Sequence, residues 1–233
     1  MALVLVLWDI DHTLIDTRGI GRELSAAAFR EVTGREMRRQ ASIDGSTETV
    51  IFRETAKLHG LSTTRADFER FAAALATQHV GRAADLRERG CALPGAVAAL
   101  DAFATARVRQ TVVTGNVKAV ARIKLETFGL DQHIDWDLGA YGEDGALRPE
   151  LVARALERAA SEPGETVLIG DTPADVEGGL AHGVRVIAVA TGRSTADVLR
   201  AAGAHIVLPD LADTEALLAA YGREEITHQH PRP

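Results

Sequence analysis

The chain has 233 residues, 46% of them apolar and 25% charged, with a formal net charge of −7. That is ordinary globular composition, sized for one main domain with an insertion or a small accessory unit, and it excludes wholesale disorder or a fibre. The acidic balance argues against a nucleic-acid partner held mainly by phosphate neutralisation. The single cysteine, Cys91, excludes an intramolecular disulfide and a cysteine-based zinc site, and reads as a small buried hydrophobe.

Leu3 to Trp8 is a continuous apolar run, as expected of a strand buried on both faces of a parallel sheet. No basic residues precede it, and it is too short for a signal h-region or a membrane span, so a soluble cytoplasmic protein without a membrane partner is expected. Residues 16–90 show no convincing buried strand. They read as amphipathic helices at about Gly21–Val32, Glu48–His59 and Arg65–Arg89, the last with breaks. Pro94–Ala106 reads as the helix that returns the chain to the sheet. Strands are then expected at Thr111–Thr114, Val167–Ile169, Val184–Val189 and Ile206–Leu208. Between them lie helices at Val117–Phe128, Pro149–Ala160, Pro173–His182 and Thr195–Ala202, with Pro in a first turn or Gly just past an end. This alternation is an α/β fold, a Rossmann-like doubly wound parallel sheet. The expected organisation is a catalytic core from 1–15 and 91–222, an inserted all-helical unit over 16–90, and a flexible tail over 223–233. His228 and His230 in that tail read as part of a frayed end.

Ligands of open α/β sheets bind outside the carboxyl ends of the strands. The residues that follow the strands are Asp9-Ile10-Asp11-His12-Thr13, then Thr114-Gly115-Asn116, then Asp171-Thr172-Pro173-Ala174-Asp175, with Arg148 opening the helix at Pro149. Four carboxylates, a hydroxyl and a guanidinium thus gather on one edge. Carboxylates crowded in one cleft raise one another's pKa unless a cation neutralises them, and an all-oxygen set with open positions suits Mg²⁺. Metal-assisted phosphoryl transfer follows as the expected chemistry.

Asp9-x-Asp11-x-Thr13-Leu14, Thr114-Gly115-Asn116, Arg148-Pro149 and Gly170-Asp171-x-x-x-Asp175, in this order, resemble the four motifs of the haloacid dehalogenase superfamily. The resemblance covers roughly residues 1–220. The helical insertion resembles that family's C1-type cap, and Thr191–Ser194 through Ala201–Ala204 is similar to phosphoglycolate-phosphatase-like members. It implies Asp9 as nucleophile through an aspartyl-phosphate, Asp11 as general acid and base, and Thr114 and Gly115 as phosphoryl contacts. It implies Mg²⁺ held by Asp9, the Asp11 carbonyl, Asp171 and Asp175. Thr13 reads as a turn or helix cap, Asn116 as a phosphoryl contact or the cap of the next helix, and Asp175 as a ligand or a helix-face charge.

The sequence departs from the family pattern twice. His12 stands where Gly is common, either near the phosphate or facing solvent. Arg148 stands where Lys is usual, with Lys118 as the rival cation and Lys124 read as surface or packing. In the insertion, Ser42-Ile43-Asp44-Gly45-Ser46-Thr47-Glu48 resembles a loop that faces the active site. Gly45 would admit the ligand, and Ser46 or Thr47 would hydrogen-bond it or cap the next helix. Arg18, Arg22 and Arg53 are candidate anchors for an acidic substrate. The expected partner is a small phosphate ester, handled by a monomer or homodimer. A phosphosugar mutase and a non-catalytic regulator on the same fold are the alternatives; Lys57, the only lysine in the insertion, gives a phosphonatase little support.

Overall fold

The computed structural model describes residues 4–222, so the expected tail with His228 and His230 lies outside the described residues. Strand β1 (Leu5–Trp8) is buried throughout and is followed by a two-residue strand, β2 (Ile15–Asp16). Helices α1 (Ile20–Thr33), α2 (Glu48–Leu58), α3 (Arg65–Gly81) and α4 (Ala83–Arg89) come next, then β3 (Cys91–Ala92). The chain continues through α5 (Ala96–Thr105), β4 (Arg109–Val112), α6 (Lys118–Phe128), α7 (Arg148–Ala159), β5 (Thr166–Gly170) and α8 (Pro173–Leu180). It ends with β6 (Arg185–Val189), α9 (Ala196–Ala201), β7 (Ile206–Leu208) and α10 (Thr214–Gly222).

Five strands form one parallel sheet in the order β4-β1-β5-β6-β7. Side chains alternate across a strand, so a strand covered on both faces must be apolar at every position. Val6 and Trp8 enter one core with Val167, Ile169 and Phe103, under α5, α6 and α10. Leu5 and Leu7 enter the other with Leu168, Val186 and Leu151, under α7, α8 and α9. The register sets Trp8 beside Val112 and Ile169, and this brings the loops after β1, β4 and β5 to one edge.

The chain enters and leaves the helical insertion at one place, because β2 and β3 pair antiparallel, Ile15 with Ala92 and Asp16 with Cys91. Cys91 is therefore a half-buried strand residue rather than a core one. The insertion packs around Leu24, Phe29, Phe52, Phe71 and Leu86, with Val117 and Val120 of α6 closing the cluster from the sheet side. Phe52 and Phe71 stack with centroids 4.5 Å apart. Among the described residues no helix is long and apolar enough to cross a membrane.

Candidate active site

Asp9 follows β1 directly and is buried; its N–H extends the ladder to the Ile169 carbonyl at 2.9 Å. The chain then turns tightly. His12 donates its N–H to the Ile15 carbonyl at 2.7 Å and adopts φ 63°. This is the left-handed region where glycine is freer, at a cost of roughly 1–2 kcal/mol for a residue with a β-carbon. Thr191 holds the turn from outside, its hydroxyl donating to the His12 carbonyl at 2.5 Å. His12 itself is half-buried and lines the cavity above the strands.

Carboxylate oxygens of Asp9, Asp171 and Asp175 lie within 4.8 Å of one another, all three residues buried. Arg148, 5% exposed, is the cation among them. Its NH2 stands 3.3 Å from Asp9 Oδ1, its Nε 3.1 Å from Asp175 Oδ1, and its NH1 donates to the Val113 carbonyl at 2.9 Å. Asp175 also closes a capping box at the start of α8, accepting from Thr172 N–H at 3.1 Å and the Thr172 hydroxyl at 2.7 Å. It is thus a fixed buried charge rather than a helix-face one. Thr13 is not a helix cap: it is fully buried, its hydroxyl 3.4 Å from both Asp9 Oδ2 and Asp171 Oδ1. Gly192 closes this side, where a β-carbon would collide with Asp171 Oδ2.

The Asp11 carboxylate points elsewhere. Lys124 Nζ lies 2.8 Å from both of its oxygens, and Asn116 Nδ2 donates to Oδ2 at 2.7 Å. Lys124 also donates to Asn116 Oδ1 at 2.7 Å, and Asn116 Nδ2 reaches the Thr114 hydroxyl at 2.8 Å. Lys124 is 6% exposed; the reading of it as surface or packing is corrected. The missed signal was periodicity. A lysine four residues after Val120 and one before Leu125 sits on the buried stripe of α6, where an ammonium needs a partner. Lys118 is turned away, paired with Asp137 at 3.0 Å. Asn116 precedes the cap residue of α6, Val117, and its side chain serves the site instead.

These settings move the two aspartates in opposite directions. Burial, then the Asp175 charge, holds Asp9 well above the usual carboxylate range despite Arg148. Burial also acts to raise Asp11, but Lys124 and Asn116 outweigh it and the net shift is downward. Burial, with Asp175 and Asp11 beyond it, pushes Asp171 up to about 8. Three buried carboxylates against one guanidinium leave a charge excess that a dication would relieve, and the donor set is all hard oxygen. The residues therefore fit Mg²⁺. The Asp11 carboxylate is outside the set, leaving only its backbone carbonyl for the ligand role that the resemblance gives this residue.

The cavity over this edge has a volume of about 670 Å³ and reaches from Asp9 and Asp171 to the helical insertion. Thr114, Gly115, Gly45 and Ser46 line it; Thr47 does not. The Thr47 hydroxyl is buried without a hydrogen-bond partner and does not cap α2. Gly45 has φ 66° and packs so closely on α8 that a β-carbon would lie 2.4 Å from Ala174 Cβ. Arg22 reaches the cavity wall, whereas Arg18 and Arg53 do not, and Arg53 pairs with Glu54 at 2.8 Å.

The fold and this edge define a parallel α/β protein with an acid-rich site at its strand ends. Residues 6–179 match the family described as haloacid dehalogenase-like hydrolase, and the chain belongs to that family. Among curated proteins it is similar to the tyrosine-protein kinase PtkA of Mycobacterium tuberculosis, 30% identical over 204 residues. That match takes in 84% of this chain, which spans only 65% of the length of that relative. Among solved structures, a hydrolase from Pseudomonas syringae superposes with a TM-score of 0.66 at 23% identity, covering 93% of this chain and 98% of that one. A haloacid dehalogenase hydrolase of family IA, variant 3, from Entamoeba histolytica gives 0.69 at 13% identity, covering 96% and 100%. At these identities the two structures share the fold with this chain.

Proposed function

We propose that the chain is a Mg²⁺-dependent phosphomonoester hydrolase that acts on a small phosphorylated metabolite through an aspartyl-phosphate on Asp9. The observation that carries this reading is the separation of duties between two aspartates two residues apart. Asp9 lies in the acid cluster against Arg148, and Asp11 is held apart by Lys124 and Asn116.

An Asp9 oxygen attacks phosphorus, and the P–O bond to the leaving group breaks in line. Thr114 and the Gly115 N–H orient the phosphoryl oxygens, and Arg148 spreads positive charge over Asp9 and those oxygens. Against burial, Lys124 and Asn116 lower the pKa of Asp11, which in its acid form gives a proton to the departing alkoxide and is left as the carboxylate they favour. It then takes one from the water that attacks the aspartyl-phosphate, which returns Asp9. When bound by Asp9, Asp171, Asp175 and the Asp11 carbonyl, Mg²⁺ neutralises phosphoryl charge. The helical insertion acts as a cap that limits entry to small esters, which leaves nucleic acids and membranes outside this reading.

A second reading is favoured by the name of the curated relative: the phosphoryl group on Asp9 passes to an acceptor other than water, as it would in a kinase or a mutase. Release of inorganic phosphate separates the two. With p-nitrophenyl phosphate, wild type is expected to release phosphate with Mg²⁺ and not with EDTA, and Asp9→Asn to fall to background. Turnover that survives Asp9→Asn, or that ignores EDTA, contradicts the proposal.

A further inference from the structure

One wall of the cavity is not used by the phosphoryl chemistry. It is made by the insertion. Glu48, the first residue of α2, is fixed there by its N–H, which donates to the Gly115 carbonyl at 2.8 Å. Its Oε2 is buried without a hydrogen-bond partner. His79, near the end of α3, is 2% exposed. Its Nδ1 lies 2.8 Å from the Leu75 carbonyl, and a carbonyl only accepts, so Nδ1 carries the proton. That leaves Nε2 as a bare acceptor, also buried without a partner. Burial keeps the ring neutral, pushing its pKa down to about 4.

Both residues line the cavity, and both feel the charges of Lys124 and Asp11. Lys124 cannot satisfy them. Its ammonium has three N–H groups, and these already face both Asp11 oxygens and Asn116 Oδ1. Two buried polar atoms without partners are unusual enough to need an account, and above pH about 7, where Glu48 is ionised, both are bare acceptors.

We propose that this wall recognises the leaving group and selects a polyhydroxylated one, a sugar or polyol phosphate whose hydroxyls donate to His79 Nε2 and Glu48 Oε2. The inference rests on the hydrolase reading and names its substrate class. An aliphatic leaving group leaves both acceptors unpaired, and a carboxylate sets further acceptors against them. An amine would donate, but it would bring a second cation beside Lys124.

The test compares kcat/KM for sorbitol 6-phosphate, n-hexyl phosphate, 6-aminohexyl phosphate and phosphoglycolate. A site built to hydrogen-bond a hydroxyl rejects the analogue that lacks it, so sorbitol 6-phosphate is expected to exceed hexyl phosphate by about 100-fold or more. That ratio is expected to fall at least tenfold in His79→Phe and in Glu48→Leu, and to be largely kept in Glu48→Gln, which retains an acceptor oxygen. Taken within one preparation, the ratio does not depend on how much of a variant folds. Equal rates for sorbitol and hexyl phosphate, a preference for the amine or the carboxylate, or a preference untouched in both variants would overturn the inference. Phosphate release without preference sinks this inference alone, whereas no release from any ester sinks the hydrolase reading with it.

Discussion

Lys124 sets the charge state of Asp11, and it is the side chain whose removal most directly tests the acid–base role. Lys124→Met leaves the half-buried Asp11 without its ammonium partner, so the Asp11 pKa should rise. With p-nitrophenyl phosphate, whose leaving group needs no proton, the acid limb of the kcat profile, set by Asp11 as base in the water step, is expected to move to higher pH and kcat to fall by roughly 100-fold. A lower rate with an unmoved limb would make Lys124 a purely structural partner. His79 gives a stability test with a definite sign. Its pKa drops from 6.5 to about 4 on folding, so the unfolded chain binds the proton more tightly and stability is lost as pH falls between those values. His79→Phe removes that loss. Its stability relative to wild type should improve by on the order of 3 kcal/mol from pH 6.5 to 4 in urea melts, a figure that follows from the shift itself. Glu48, raised by burial from 4.5 to about 7, works in the opposite direction, since its stabilisation is lost as pH rises through that range. The two oppose each other in wild type, and a variant of either uncovers the other.

Between elements, the contact that shapes the site is the meeting of the loop before α2 with the loop after β4. Glu48 N–H reaches the Gly115 carbonyl, and the Thr49 hydroxyl donates to the Gly142 carbonyl at 2.5 Å. A β-carbon on Gly115 would lie 2.2 Å from the Ser46 carbonyl oxygen, so Gly115→Ala must push these loops apart. It is expected to raise KM for a small ester at least tenfold while circular dichroism stays that of the wild type; an unchanged KM would show that the close approach is dispensable. The large elements were legible in the sequence because their causes are local. β1 reads as an apolar run because both its faces are covered, and the Gly and Pro residues at 129, 149 and 173 mark helix ends. The order of the acidic motifs was legible for the same reason, each following a strand. What was not legible depends on pairing across long stretches of chain. β2 and β3 are two residues each, too short to show a period, and they exist because Ile15 meets Ala92. Lys124 and His79 were missed because a lone polar residue on an apolar helix face declares its partner only in three dimensions.

Across the whole molecule, stability and metal binding are linked through the acid cluster. The folded pKa of Asp171, about 8 against 3.8, means that the metal-free fold loses stability as pH rises through that interval. At pH 7.5 without divalent cation, Asp171→Asn is therefore expected to melt above wild type. At about 100 times its Kd, Mg²⁺ should stabilise wild type by roughly 2.7 kcal/mol, about 5–10 °C in Tm for a chain of this size. It should leave the variant almost unmoved, and equal shifts in both would place the cation elsewhere. The claim on which the functional account stands is that Asp9 carries the phosphoryl group, and the most direct measurement is the mass of the protein caught in mid-reaction. Asp11→Asn mixed with p-nitrophenyl phosphate and Mg²⁺, then quenched in acid, should gain the mass of one phosphoryl group. p-Nitrophenolate leaves without a proton donor, whereas the water step lacks its base. After borohydride reduction and digestion, the modification should map to Asp9. A phosphoryl group on another residue, or wild-type turnover with no phosphoenzyme in the variant, would contradict the account.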